Sequence, residues 1–175
     1  MRYSSMILVA SALLLTALGC RAQSPSINRT TIANLDLRRY MGRWYEIARF
    51  DHRFERGLEE CEALYTLLPD GKITVTNSGI DTKSGKKKYS YGKAKLGDKS
   101  GQLRVSFFLF FYSDYNILAL GEDYEWALVG SKSPNYLWIL SRTPQISDAT
   151  KSHILDIARR RGYDISKLIW VQQAN

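Results

Sequence analysis

Cys61 is the best nucleophile candidate in the chain, and it stands between two carboxylates, Glu60 and Glu62. Thiolate chemistry needs the opposite setting, because neighbouring negative charge holds the proton on sulfur. No base is evident nearby, and a small, buried, inert cysteine fits the pattern better. The two histidines, His52 and His153, are too few for a zinc cluster. Ser84-Gly85-Lys86-Lys87 matches a Ser-x-x-Lys pattern, but it lies in a lysine-rich loop without the companion motifs of that chemistry. No Gly-x-Ser-x-Gly elbow occurs. Neither catalysis nor a cofactor is therefore expected. What remains is the chemistry of contact: an acid, Glu46, inside the apolar run GRWYEIARF; a tryptophan, Trp44, straight after Gly42; an arginine, Arg142, in SRTP; and the aromatic run SFFLFFYSDY at 106–115.

The elements that must position these groups are short strands. Strand-like runs recur at 43–50, 60–68, 72–79, 88–96, 102–109, 115–120, 125–131 and 136–141. The breaks between them carry turn residues, as in Pro69-Asp70-Gly71, 97–101 and 132–135. Short connections make neighbours antiparallel. Eight such strands can close into an all-β, up-and-down barrel that has no free edge and can hold one small ligand; a two-sheet sandwich is the alternative. Residues 35–41 can make one helical turn. After Thr143-Pro144, Ser147 can cap a helix running to about Arg161, with Ile154, Ile157 and Ala158 on one face. A helix with one apolar stripe should pack on the outside of the sheet. A last short strand is expected at 168–173.

In a closed barrel the first and last strands are neighbours, so the start of one and the end of the other share a rim. Trp44 and Arg142 should meet there, guanidinium over indole, and plug one end. Period-two alternation then places side chains. Counting back from Arg142 puts Leu140, Trp138 and Tyr136 inside. Counting on from Trp44 puts Glu46, Ala48 and Phe50 inside, unless a bulge resets the count. On the same grounds Cys61, Ala63, Tyr65, Ile73, Val75, Val105, Phe107, Ile117, Ala127 and Val129 face inward. The expected ligand-binding set is Ala63, Tyr65, Val75, Val105, Phe107, Ile117, Val129, Tyr136, Trp138 and Leu140. An inward Glu46 needs a partner, and Tyr65 or Tyr136 could donate to it.

The first 34 residues have other work. Residues 6–18 are apolar, a stretch of about 13, too short for a bilayer and right for a leader core. The leader is expected at 1–19, a polar tether at 20–34 and one domain at 35–175. The end of the leader, Ala17-Leu18-Gly19-Cys20, resembles a bacterial lipoprotein signal, although leucine is usual where Ala17 stands. The resemblance implies that Cys20 carries the lipid. Arg21 in place of aspartate implies the outer membrane, facing the periplasm. With Cys20 used in this way, Cys61 has no partner for a disulfide. The net charge of +8, one less without Arg2, suits anionic surfaces. A secreted chain rarely meets nucleic acid, so a membrane is the favoured surface.

Gly42-x-Trp44, Asp123-Tyr124 before the seventh strand and Arg142 after the eighth, followed by one helix and one strand, resemble the lipocalin signature. The stretches FDHRFERGLE (50–59), YLWILSRTP (136–144) and IWVQQ (169–173) resemble the bacterial outer-membrane lipocalins, relatives of apolipoprotein D. That resemblance implies a lipid-anchored protein binding fatty acids or lysophospholipids without covalent chemistry, storing or carrying them in envelope maintenance or stress. Two other functions stay open: a Cys61-dependent lipid-modifying enzyme, by similarity to the lipocalin-type prostaglandin synthase, and a structural envelope protein with a filled core. Whether the chain acts alone or as a homodimer is also open.

Overall fold

The computed structural model describes residues 26–174. The expected leader and Cys20 lie outside the described residues. After a single helical turn, α1 (Leu37–Tyr40), eight strands follow. They are β1 (Gly42–Phe50), β2 (Leu58–Leu67), β3 (Ile73–Asp81), β4 (Lys87–Leu96), β5 (Gln102–Phe108), β6 (Phe111–Leu120), β7 (Trp126–Gly130) and β8 (Leu137–Ser141). A helix, α2 (Asp148–Arg160), and a last strand, β9 (Leu168–Trp170), complete the chain. Consecutive strands from β1 to β8 pair antiparallel, and β9 pairs antiparallel with β1. β1 closes the ring by pairing with β8 as well as β2. The expected up-and-down barrel is the fold.

Two apolar clusters divide the strands by parity. One fills the barrel, with Trp44, Tyr65, Ile73, Val75, Leu103, Ile117, Ala127, Val129 and Leu140 at its heart. The other lies outside, beneath α2, where Leu118, Trp126, Leu128, Leu137 and Ile139 meet Ile154 and Ala158. All five residues of β7 are buried because its two faces serve the two clusters. The helix starts where expected: the Ser147 side chain accepts from the Thr150 amide. Among the described residues, both clusters draw on residues from Ile27 onward. Residues 26–34, part of the expected tether, run against the barrel: Ile32 N donates to Ile117 O at 3.0 Å and Asn28 N to Arg161 O at 2.8 Å.

The inward count along β1 fails after Glu46. The pairing of β1 with β8 shifts register between Glu46 and Ala48. A bulge adds one residue and inverts parity beyond it. Ala48 and Phe50, expected inside, therefore join the outer cluster under the helix, as does Ile47. Arg49 turns inward in their place.

The same strand is shared between three neighbours. Its first half pairs with β2 as far as Tyr45↔Glu62, and its end, Ala48–Phe50, pairs with β9. The gap that opens between β1 and β2 is bridged by the last residues. Gln172 O accepts from Glu60 N at 2.7 Å. The Gln173 amide donates to Glu46 O at 2.7 Å and Cys61 O at 3.0 Å. A lone side-chain amide thus satisfies carbonyls that no strand reaches.

Candidate functional site: an apolar cavity with a buried polar wall

The closed end of the barrel is built as the strand order demands. The Arg142 guanidinium lies 3.7 Å from the centre of the Trp44 ring. It also donates to Arg43 O and Arg39 O at 2.7 Å, Tyr40 O at 3.1 Å and Tyr124 O at 3.3 Å. Trp44 Nε1 donates to Tyr40 O at 2.9 Å. Gly42 makes this packing feasible. Its φ is +93°, and a Cβ there would stand 3.4 Å from the arginine. Asp123 is 3.7 Å from Arg39, and the Tyr124 hydroxyl accepts from the Asp36 amide at 2.8 Å. All five signature residues, Gly42, Trp44, Asp123, Tyr124 and Arg142, therefore lie around one rim.

Next to the closed end, three tyrosines cross the barrel. Tyr40 and Tyr115 share a hydroxyl hydrogen bond of 2.6 Å, and Tyr65 packs against both rings. Burial, first, pushes all three phenols above their ordinary range, so they stay neutral. Bulky rings fill this half. Of the expected ligand-binding residues, Tyr65, Val75, Ile117, Val129 and Leu140 belong to this packed cluster, with Ala63 against it.

The other half is open. A cavity of about 950 Å³ is lined by the remaining four expected residues, Val105, Phe107, Tyr136 and Trp138. It also touches Leu58, Cys61, Phe54, Phe108, Phe111 and Ser113. The size lies within the usual range for ligand pockets, roughly 300–1,000 Å³. The apolar cluster reaches the cavity at Val105 and Trp138.

Its polar wall was only partly foreseen. Glu46 does point inward, but its partner is neither Tyr65 nor Tyr136. Arg49 Nη1 donates to Glu46 Oε1 at 2.6 Å. Arg49 Nη2 donates to Glu55 O at 2.6 Å and Leu58 O at 3.1 Å. The Glu55 carboxylate accepts from Trp138 Nε1 at 3.1 Å. His52 Nε2 lies 2.8 Å from Glu55 Oε2. That approach is off the N–H line, and neither ring nitrogen has a hydrogen-bond partner among the described residues. His52 sits 5.4 Å from the ring centres of both Tyr136 and Trp138. His52, Glu55 and Cys61 line the cavity. Strand alternation could not find Arg49, since the bulge that turns it inward leaves no mark in the residue pattern. His52 and Glu55 lie in FDHRFERGLE, a stretch that carries the family resemblance, but residue type alone does not place either of them in the cavity.

Two carboxyl groups lie near one guanidinium here, and only Glu46 bonds to it directly. Burial raises both acids, but Glu55 has the His52 ring beside it, Trp138 donating and Arg49 nearby, and its pKa ends below the ordinary range. Glu46, fully buried and facing the Glu55 charge, is held well above it despite Arg49. Arg49 is also buried, yet the Glu46 contact keeps it protonated. Glu46 therefore carries the proton and Glu55 the charge. Burial and then Glu46 push the Cys61 thiol up to about 12, which keeps it a thiol at neutral pH.

The sign for stability follows. Folded Glu46 keeps a proton that the unfolded chain releases near pH 4.5. Its contribution is greatest below that pH and declines as pH rises. Glu55 acts in reverse, contributing above the ordinary carboxylate range and losing its effect as pH falls. Glu46→Gln should therefore flatten the fall in Tm between about pH 5 and pH 8 and cost little at the upper end. A variant markedly less stable than wild type at about pH 8 would mean that Glu46 is ionised there and paired with Arg49.

With barrel, rim and cavity in place, comparison with known proteins is decisive. The lipocalin-like domain family matches residues 35–173. The chain belongs to the lipocalin family. It is 47% identical to the outer membrane lipoprotein Blc of Escherichia coli K12 over 175 residues, 99% of this chain and 98% of the other. A more distant relative is apolipoprotein D of Mus musculus, 36% identical, covering 81% of this chain and 79% of that one. Among solved structures, insecticyanin from the tobacco hornworm Manduca sexta has a TM-score of 0.71 at 21% identity, covering 87% of each chain. At that identity the likeness shows the fold alone. The match to that outer membrane lipoprotein covers nearly the whole chain, and so extends beyond the family's short signature.

Proposed function

We propose that this lipocalin binds an amphipathic lipid, a fatty acid or a lysophospholipid, non-covalently in the cavity at the open end of the barrel. The observation that carries the reading is the cavity itself: about 950 Å³, with Val105, Phe107, Phe108 and Phe111 as its apolar wall and His52, Glu55, Lys88, Arg104, Asp114 and Lys132 among its polar lining. Apolar walls suit an acyl chain, and a few polar atoms can orient its head. A chain of ~16 carbons buried at ~0.8 kcal/mol per CH₂ gains up to about 12 kcal/mol before ordering costs, enough for micromolar binding. Names of relatives such as outer membrane lipoprotein Blc support attachment to the outer membrane. The anchor would be a lipid on Cys20, with the barrel facing the periplasm. Storing or carrying lipids during envelope maintenance or stress is the role this arrangement suits. Reaction at Cys61 is disfavoured, because a thiol held near 12 offers little thiolate.

Native mass spectrometry of residues 21–175, titrated with a fatty acid and with a lysophospholipid, tests the reading. Saturable one-to-one uptake is expected. Ser113→Trp, which places an indole in the cavity, should weaken it by about tenfold or more, while Cys61→Ala should leave affinity unchanged. A barrel that takes up neither lipid class would end this reading.

A further inference from the structure

The outer face of β4 is a stripe of lysine and tyrosine. Lys87, Tyr89, Tyr91, Lys93 and Lys95 alternate along it, all exposed. Tyr89 and Tyr91 stack at 6.3 Å with their rings 8° apart, so two phenols stand in solvent side by side. Beside them the β5–β6 hairpin ends in Phe108, Leu109, Phe110 and Phe111, between 61% and 83% exposed. The two features form one surface. Lys93 Nζ is 5.4 Å from the Phe110 ring, and Lys95 Nζ is 4.7 Å from the Tyr112 ring. Among the described residues, neither lysine is in a salt bridge.

The pairing of β4 gives this face a way into the cavity. β3 follows β4 as far as Ile80↔Lys87, but β5 accompanies it only over Lys93–Leu96. Past Gly92 the hairpin parts from β4. The cavity is lined by Tyr89 and Ser90 on one side of that parting and by Phe107, Phe108 and Phe111 on the other.

We propose that the β4 stripe and the β5–β6 tip are the seat by which the barrel lies on an acidic lipid bilayer, with the cavity opening towards it. Tyrosine and lysine are residues of the membrane–water interface, where rings sit at headgroup level and lysines meet acidic lipid. An aromatic tip beside them can enter the acyl region. A second copy of the chain suits the surface less well, since a twofold contact would set the same lysine-bearing stripe against itself, with no excess of carboxylates to balance it. The proposal deepens the lipid-binding reading and fails separately from it.

Residues 21–175 without the lipid on Cys20 are suitable for the test, because they hold every described residue of both apolar clusters. Co-sedimentation would use vesicles of phosphatidylcholine alone and of phosphatidylcholine mixed with phosphatidylglycerol. Binding is expected to the mixed vesicles and to weaken with salt. Lys93→Glu with Lys95→Glu should lower partitioning by about 25-fold or more, at roughly fivefold per lysine. Phe110→Ser should lower it by about tenfold. None of the three residues lines the cavity, so uptake of dispersed fatty acid should be unchanged in both variants. Wild-type chain that ignores acidic vesicles, or variants that bind them as well as wild type, would overturn the proposal while leaving lipid uptake standing. Variants that instead turn a dimer into a monomer in sedimentation would overturn it in favour of contact between copies.

Discussion

Arg49→Met should lower the stability of the barrel by about 3–5 kcal/mol, the usual cost of removing one partner from a buried charged pair. Three losses combine. Glu55 O and Leu58 O lose their donor inside the structure, and an unsatisfied buried carbonyl costs about 1–3 kcal/mol. Glu46 loses its short contact. The Glu55 carboxylate keeps Trp138 but loses the guanidinium that balanced it. For a chain of this size, each kcal/mol moves Tm by roughly 2–4 °C, so a fall of about 10 °C is expected. The loss should be smaller in acid, where Glu55 can take up a proton. Adding Glu46→Leu to Arg49→Met should recover part of it, because it removes the buried carboxylic acid left without its partner and fills the space with apolar volume. Thermal unfolding of the single and double variants decides the matter. A single variant that melts within a degree or two of wild type would show that the polar wall contributes no net stability.

The second large effect is at the closed end. Arg142→Ala removes a cation from the face of Trp44 and a donor from four backbone carbonyls. The ring contact contributes roughly 1–2 kcal/mol. Hydrogen bonds from a charged donor contribute about 1.5–3 kcal/mol each, but bonds made by one group do not add. A total near 4 kcal/mol is expected, read as a lower urea midpoint with an unchanged slope. Arg142→Lys should recover less than half of this. An ammonium can sit over the indole, but it cannot reach carbonyls of α1, β1 and the loop before β7 together. Full rescue by lysine would mean that charge over the ring, rather than the planar fork, holds the barrel end.

Both sites show what strand alternation can and cannot reach. The meeting of Trp44 with Arg142 follows from closure alone. In an up-and-down barrel of eight strands the first and last must be neighbours, and no packing detail changes that. The tyrosine plug does not follow from closure. Alternation places Tyr65 inside, but its role as a filler depends on Tyr40 and Tyr115 arriving from α1 and β6 to touch it. Volume is a property of the three rings together. For the same reason parity could say which side chains face inward, but it could not separate the filled half from the cavity.

The sequence by itself determined the class of fold, the place of the helix outside it, the rim where the signature residues gather and the apolar character of the interior. These rest on local rules: period-two alternation, turn residues, a capped helix with one apolar stripe, and the requirement that a closed sheet has no edges. The tertiary structure alone decided where Ala48, Arg49 and Phe50 face, which partner Glu46 takes, and where the cavity begins. One register shift, between Glu46 and Ala48, lies behind the first two. A bulge costs little in local backbone energy and exchanges the faces of every residue beyond it, so it is settled by the packing of β8, β9 and α2 against β1. No pattern within β1 can reveal it.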